Sequence, residues 1–141
     1  MKKAFTIIEL IFVIVILGIL STVALPKFIG VANEAHEANL KSFVGTLNRT
    51  VGPVLWSKSF TEGRNGAIRD LDINLSLYTD IPKELRDINN SCGENTYNVI
   101  GEANVSVAGY VYKIVCKDGN ATNAPTFGLK KDDNCIAGRC E

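Results

Sequence analysis

Residues 5–20 read "FTIIELIFVIVILGIL", an apolar stretch that nonetheless carries a glutamate, Glu9. From Leu10 onward no side chain is charged until Lys27. A carboxylate in a membrane core costs roughly 2.5–3.5 kcal/mol, so a chain that keeps one there is expected to supply a partner for it. The run from Phe5 to Leu25 would span about 31 Å as a helix, one hydrocarbon core. Lys2 and Lys3 precede it, and positive charge on that flank keeps the N-terminus cytoplasmic. The rest of the chain is then expected across the membrane.

Two ordinary readings compete for this stretch. One is a secretory signal, with Thr22-Val23-Ala24 offering small residues for cleavage after Ala24. A binding domain released in that way would be secreted. The other is a simple single-span anchor. Neither explains Glu9.

The sequence "KKAFTIIELIFVIVILGIL" resembles the N-terminal signature of type IV pilins and type II secretion pseudopilins. That signature is a short basic leader, a small residue, Phe-Thr, two apolar residues, Glu and a long apolar run. The resemblance covers about residues 1–55. It implies that a prepilin peptidase cuts between Ala4 and Phe5 and methylates the new amine of Phe5. The family usually has glycine before the cut, where this chain has alanine. The resemblance also gives Glu9 a role. In a filament its carboxylate would meet the Phe5 amine of a neighbouring subunit, fixing axial register and making the buried charge tolerable by pairing. Gly18 and Pro26 match the positions that, in pilins, bracket a stretch able to unwind on assembly. By itself each residue weakens or kinks a helix.

Helical spacing continues past Pro26 through Phe28, Ala32, Ala35, Leu40, Phe43, Val44, Leu47 and Val51. Asn33, Glu34, Glu37, Asn39, Lys41 and Asn48 lie between them, and His36 falls on this polar side as a solvated residue. The pattern predicts an amphipathic half-helix able to lie on a globular domain. Gly52-Pro53 is an expected interruption, with one further turn through Trp56. Expected segments are therefore a leader at 1–4, a membrane half-helix at 5–25, an amphipathic half-helix at 26–56 and a globular domain at 57–141.

In the last segment, Asp80 and Pro82 mark a short helix over 81–88. "TYNVI", "NVSVAG", "YVYKIVC" and "PTFGLK" read as strands, with "KDGN" as a turn. The expected fold class is α+β, with the long N-terminal helix packed on a small antiparallel sheet of three or four strands, as in pilins. Cys92, Cys116, Cys135 and Cys140 allow three disulfide connectivities. The favoured one is Cys92–Cys116 with Cys135–Cys140, the latter closing "CIAGRC" with Gly138 at the bend and resembling the stapled tail of many pilins. A four-cysteine zinc site would lack C-x-x-C spacing. Asp132 and Asp133 are weak calcium candidates, although a solvated acidic turn is the plainer reading.

Five asparagines stand in N-x-[ST]: Asn48, Asn74, Asn89, Asn104 and Asn120. The last four each have an acid two residues earlier, in "DINLS", "DINNS", "EANVS" and "DGNAT". With 15 acids in 141 residues, chance predicts fewer than one such coincidence. The pattern resembles the extended acceptor sequence of bacterial oligosaccharyltransferases, which makes these four asparagines N-glycosylation candidates. The plainer alternative is a set of Asn- and Asp-rich turns.

The 15 basic and 15 acidic side chains balance, so no nucleic-acid partner is expected. No nucleophile–base pair, phosphate loop or metal motif is visible, and no cofactor or enzymatic activity is expected. The expected function is a subunit of a type IV pilus-like filament, with a secretion pseudopilin as the alternative. The expected partners are identical or related pilin subunits, the prepilin peptidase, an inner-membrane assembly platform and the lipid bilayer. The expected location is the inner membrane, then a periplasmic or surface filament.

Overall fold

The computed structural model describes residues 5–69, 71, 74–86, 88–89, 91–105 and 109–141, with the side chains of 26, 28, 29, 104 and 105 set aside. The chain divides into two compact units, Met1–Ala35 and His36–Glu141. Helix α1 runs Ile7–Thr46. It is followed by a π-helical turn, Leu47–Val51, and by α2, Gly52–Thr61.

The expected interruption at Gly52-Pro53 is thus a change of helical pitch and not an end. Proline lacks the N–H an α-helix interior needs. The π turn places Pro53 in the first turn of α2, where that N–H is not required. The amide of Gly52 donates to the Leu47 carbonyl, and helix continues past Trp56 to Thr61. Gly52 also marks a close approach, since a Cβ there would lie 3.2 Å from the Phe127 ring.

Five strands follow: β1 Leu85–Arg86, β2 Asn98–Val105, β3 Tyr110–Lys117, β4 Thr126–Lys131 and β5 Asn134–Gly138. They form one antiparallel sheet in sequential order. The fold is α+β, a long N-terminal apolar helix followed by an antiparallel sheet, and its architecture is pilin-like. β3 and β4 fall where β-branched and aromatic residues placed them, whereas "TYNVI" and the start of "NVSVAG" join in the single strand β2, residues 106–108 lying outside the described residues. Two other elements differ from expectation. The helix expected over 81–88 is absent among its described residues. There Leu85 N donates to Pro82 O at 3.0 Å to close a turn, and Leu85 and Arg86 pair with Ala103 and Glu102. Pairing to the open edge of β2, with Leu85 entering the core, overrides a local helix signal. "CIAGRC", expected as a loop, contributes β5. Asp132 and Asp133 take positive φ of 46° and 67° in the connecting turn, a geometry suited to a two-residue hairpin.

Leu40, Phe43, Val44, Leu47, Val51 and Leu55 give the helical side of the core. Ile100, Tyr112, Ile114, Phe127 and Leu129 give the sheet side. Cys92–Cys116 and Cys135–Cys140 are disulfide-bonded. The first joins the segment before β2 to β3, and the second ties β5 to the residues after it.

Polar fasteners join helix to sheet. The Asn48 side chain sits on the π turn and acts as a strand partner for β4. Its Nδ2 donates to Phe127 O at 2.9 Å, and its Oδ1 accepts from Phe127 N at 2.9 Å. Glu37 collects Lys41 at 2.7 Å and both Lys131 and Tyr112 at 3.0 Å. Tyr112 and Lys131 face each other across β3 and β4, and the Lys131 ammonium lies 4.0 Å from the centre of the Tyr110 ring. His36 is not simply solvated, since its Nδ1 lies 2.6 Å from Glu84 Oε1 in the turn before β1. Buried Asp118 accepts from Ile68 N at 2.7 Å and Gly119 N at 2.9 Å, holding the segment after α2 to the end of β3.

The carboxyl of Glu37 is held at about 2, below its ordinary 4.5, chiefly by Lys41 and then Lys131, against the opposing effect of partial burial. A folded value below the unfolded one adds stability above pH 4.5 that is lost as pH falls toward 2. Urea unfolding of the chain in detergent is therefore expected to show stability falling over this window, with a shallower fall in Glu37→Gln; equal slopes would contradict the assignment. Asn48→Leu is expected to cost about 1–3 kcal/mol in the same assay, because it leaves the Phe127 N–H without its acceptor.

Candidate assembly site at the start of the long helix

The first turn of α1 is closed by residues of the quoted stretch. Glu9 Oε2 accepts from Thr6 N at 2.9 Å and from Thr6 Oγ1 at 2.7 Å. Glu9 N approaches Thr6 Oγ1 at 3.4 Å, and Leu10 N donates to Thr6 O at 3.3 Å. This is a capping box, in which a threonine and a glutamate three residues on satisfy each other's backbone N–H. The spacing Thr-x-x-Glu was legible in the sequence, and it supplies a partner for the carboxylate within the chain. Both of these contacts fall on Oε2.

Along the helix the apolar side chains lie bare. Phe5 is 87% exposed and Ile7 80%, and Leu10, Phe12, Leu17 and Leu25 are each more than half exposed. The helix is long and apolar enough to cross a membrane by length and composition. Within the apolar run, Ser21 Oγ donates to Leu17 O and Thr22 Oγ1 to Ile19 O, each at 2.7 Å. Such bonding back onto the helix lets a hydroxyl enter an apolar medium. A Cβ at Gly18 would meet nothing within 4 Å, so the glycine leaves a shallow place on the helix surface where another helix can approach closely. Helix α1 continues through Gly18 and Pro26 without a break. Ala4 lies outside the described residues, as do the side chain of Pro26 and the acids Asp72 and Asp87.

The other candidate residues lie in the second unit. The carboxylates of Asp132 and Asp133 already have partners. Asp132 Oδ1 accepts from Val111 N at 3.3 Å and Asp133 Oδ1 from Lys113 Nζ at 3.0 Å. Lys113 holds the carboxyl of Asp133 below its ordinary range. No group of three or more His, Cys, Asp or Glu side chains is placed to hold a metal among the described residues. Asn74 and Asn89 are exposed between elements, Asn120 lies in the turn after β3, and Asn104 falls within β2. Sequence reasoning missed the fasteners Asn48, Glu37 and His36, because helical periodicity marks a polar face without telling which of its residues will meet a sheet; Asp118, just after β3, was read only as part of the turn "KDGN" and as the acid of "DGNAT".

Comparison with known proteins bears on the helical stretch. Residues 1–25 match the family model described as the prokaryotic N-terminal methylation motif. Over 38 residues the chain is 50% identical to the type IV narrow pilus major component PilA5 of Thermus thermophilus. That similarity covers 27% of this chain and 33% of the relative, so the chain matches about a third of that protein's length. No solved structure matches the chain. The N-terminal signature and the resemblance to type IV pilins are thus shown, and they point to a structural protein.

Proposed function

We propose that this chain is a subunit of a type IV pilus-like filament, assembled from the inner membrane through its apolar N-terminal helix. The carrying observation is the pairing of a bare apolar helix with a capped glutamate at its start, beneath a methylation motif. In the membrane, lipid covers the apolar side chains, and the capping box lowers the cost of Glu9. A prepilin peptidase acting between Ala4 and Phe5 creates an amine four residues from that carboxylate. An inner-membrane platform then brings subunits together, and neighbouring helices replace lipid around Phe5–Leu25. Glu9 recognises the Phe5 amine of the adjoining subunit, and Gly18 permits close helix approach. Gly18 and Pro26 mark the stretch free to unwind.

The sheet domain, with two disulfides, is suited to an oxidising compartment. It works as a structural body, with neither metal nor organic cofactor and without catalysis. Similarity to a narrow-pilus component supports a pilin-like subunit, and the stapled four-cysteine domain favours a pilus over the related export filament.

Two substitutions separate the roles of Glu9. Glu9→Gln keeps a capping box, since glutamine serves at that position, but removes the charge; Glu9→Ala removes both. Both variants are expected to remain in the membrane fraction and to be lost from sheared filaments, compared with wild type by immunoblot. Normal incorporation of Glu9→Gln would show that the carboxylate charge does not direct assembly.

A further inference from the structure

The chain carries four asparagines in acid-x-Asn-x-[Ser/Thr], and the structure sorts them. We infer that Asn74 and Asn89 are N-glycan acceptors on the folded subunit, whereas Asn104 and Asn120 are not. This rests on the orientation proposed above, which puts the residues after the apolar span outside the cytoplasm.

A transferase acting on a folded protein must reach the asparagine amide and read the acid two residues before it. Asn74 and Asn89 are exposed and lie outside the strands, Asn89 being joined to β2 by its own N–H, which donates to Ile100 O at 2.8 Å. Asn74 begins the short turn Leu75–Leu77, where its Oδ1 accepts from Ser76 N at 3.1 Å and Ser76 Oγ at 2.6 Å. Asn89 Oδ1 accepts from Ser91 N at 2.9 Å. Each acceptor side chain thus touches the hydroxyl residue that the motif requires; Asn120 Oδ1 does so too, accepting from Thr122 N at 2.9 Å and Oγ1 at 3.0 Å, so this contact does not separate the sites. At Asn74 and Asn89 the amide nitrogen, the reacting atom, has no hydrogen bond among the described residues.

Asn120 matches the motif equally well in sequence, but its acid is committed elsewhere. The side chain of Asp118 is 0% exposed. It is held by Ile68 N at 2.7 Å, Gly119 N at 2.9 Å and Arg69 at 3.3 Å. Asn120 itself is exposed, so what separates it is its acid. A carboxylate that anchors the segment after α2 is unavailable for recognition. Asn104 lies within β2, opposite Val111 of β3, where extended paired backbone cannot enter a transferase cleft without breaking the sheet. Asn48 has no acid at the required place, and its amide is bonded to Phe127.

The donor implied is an oligosaccharide joined through a diphosphate to a polyprenol. The asparagine Nδ2 attacks its anomeric carbon and forms the C–N bond. The C–O bond to the diphosphate breaks, polyprenyl diphosphate leaves with the electron pair, and the amide proton passes to a base on the transferase.

The test is peptide mass spectrometry of the chain from its native host, reduced and cut with trypsin. Peptide 70–83 contains Asn74, 87–113 contains Asn89 and Asn104, and 118–130 contains Asn120; fragmentation separates the two sites in the middle peptide. Expected are glycan masses at Asn74 and Asn89, with Asn104 and Asn120 bare. Asp72→Ala and Asp87→Ala should each remove the glycan from their own site alone. Unmodified chain purified after recombinant expression, then reduced, unfolded and given a bacterial oligosaccharyltransferase with its lipid-linked donor, should gain a glycan at Asn120 as well. Bare Asn74 and Asn89 in the native protein would overturn the inference, as would equal occupancy of Asn120 in folded protein. A methylated Phe5 without glycans would refute this inference alone, whereas glycans on a chain with an unprocessed N-terminus would refute the filament reading alone.

Discussion

A bare apolar helix has to be covered, and the proposed function depends on this requirement. The large side chains between Phe5 and Leu25 are exposed in the single chain. Water cannot be their final environment at roughly 25 cal/mol per Å² of apolar surface. Lipid and neighbouring helices are both suitable covers, and the proposed filament subunit would use them in turn. On that proposal, Glu9 makes the requirement specific. Apolar contact alone lets helices slide past one another, whereas a single charge in that surface favours the one register in which it is paired.

The second unit solves a different problem. A short sheet has one face to bury, and the residues from Leu40 to Leu55 provide a helical surface for it. Hydrophobic contact holds them together, and the polar groups set the alignment. Asn48 reads the backbone of β4 at Phe127, and Glu37 gathers side chains from β3 and β4. His36 meets the turn that leads into β1. The π turn and Gly52 bring the helix near enough to β4 for these bonds to form. Two disulfides then secure the segments at the sheet's margins.

How much of this was legible depended on where the deciding interactions lie. The apolar span, the glutamate and the central strands announce themselves through local composition, and the structure follows them. β1 was hidden because Asp80 and Pro82 look like a helix start, while the pairing of Leu85 with Ala103 is visible only in three dimensions. β5 was hidden because "CIAGRC" is short and carries a glycine. At Gly52-Pro53 the proline signalled an interruption with one more turn, and only the change of pitch shows how the helix continues to Thr61. Asn48 stands in a bare N-x-[ST] in sequence and is a helix–sheet clamp in space. Likewise, the acid before Asn120 completes a motif on paper but anchors a loop in the fold.

The central claim is that the apolar stretch is an assembly helix exposed by processing, and the mass of the N-terminal peptide of the mature protein tests it most directly. The account predicts a peptide that begins at Phe5 with a methylated amine. A chain beginning at Leu25 would contradict it, because the helix argued to build the filament would have been removed. A mature chain still beginning at Met1 would contradict it too, leaving Glu9 no Phe5 amine to meet.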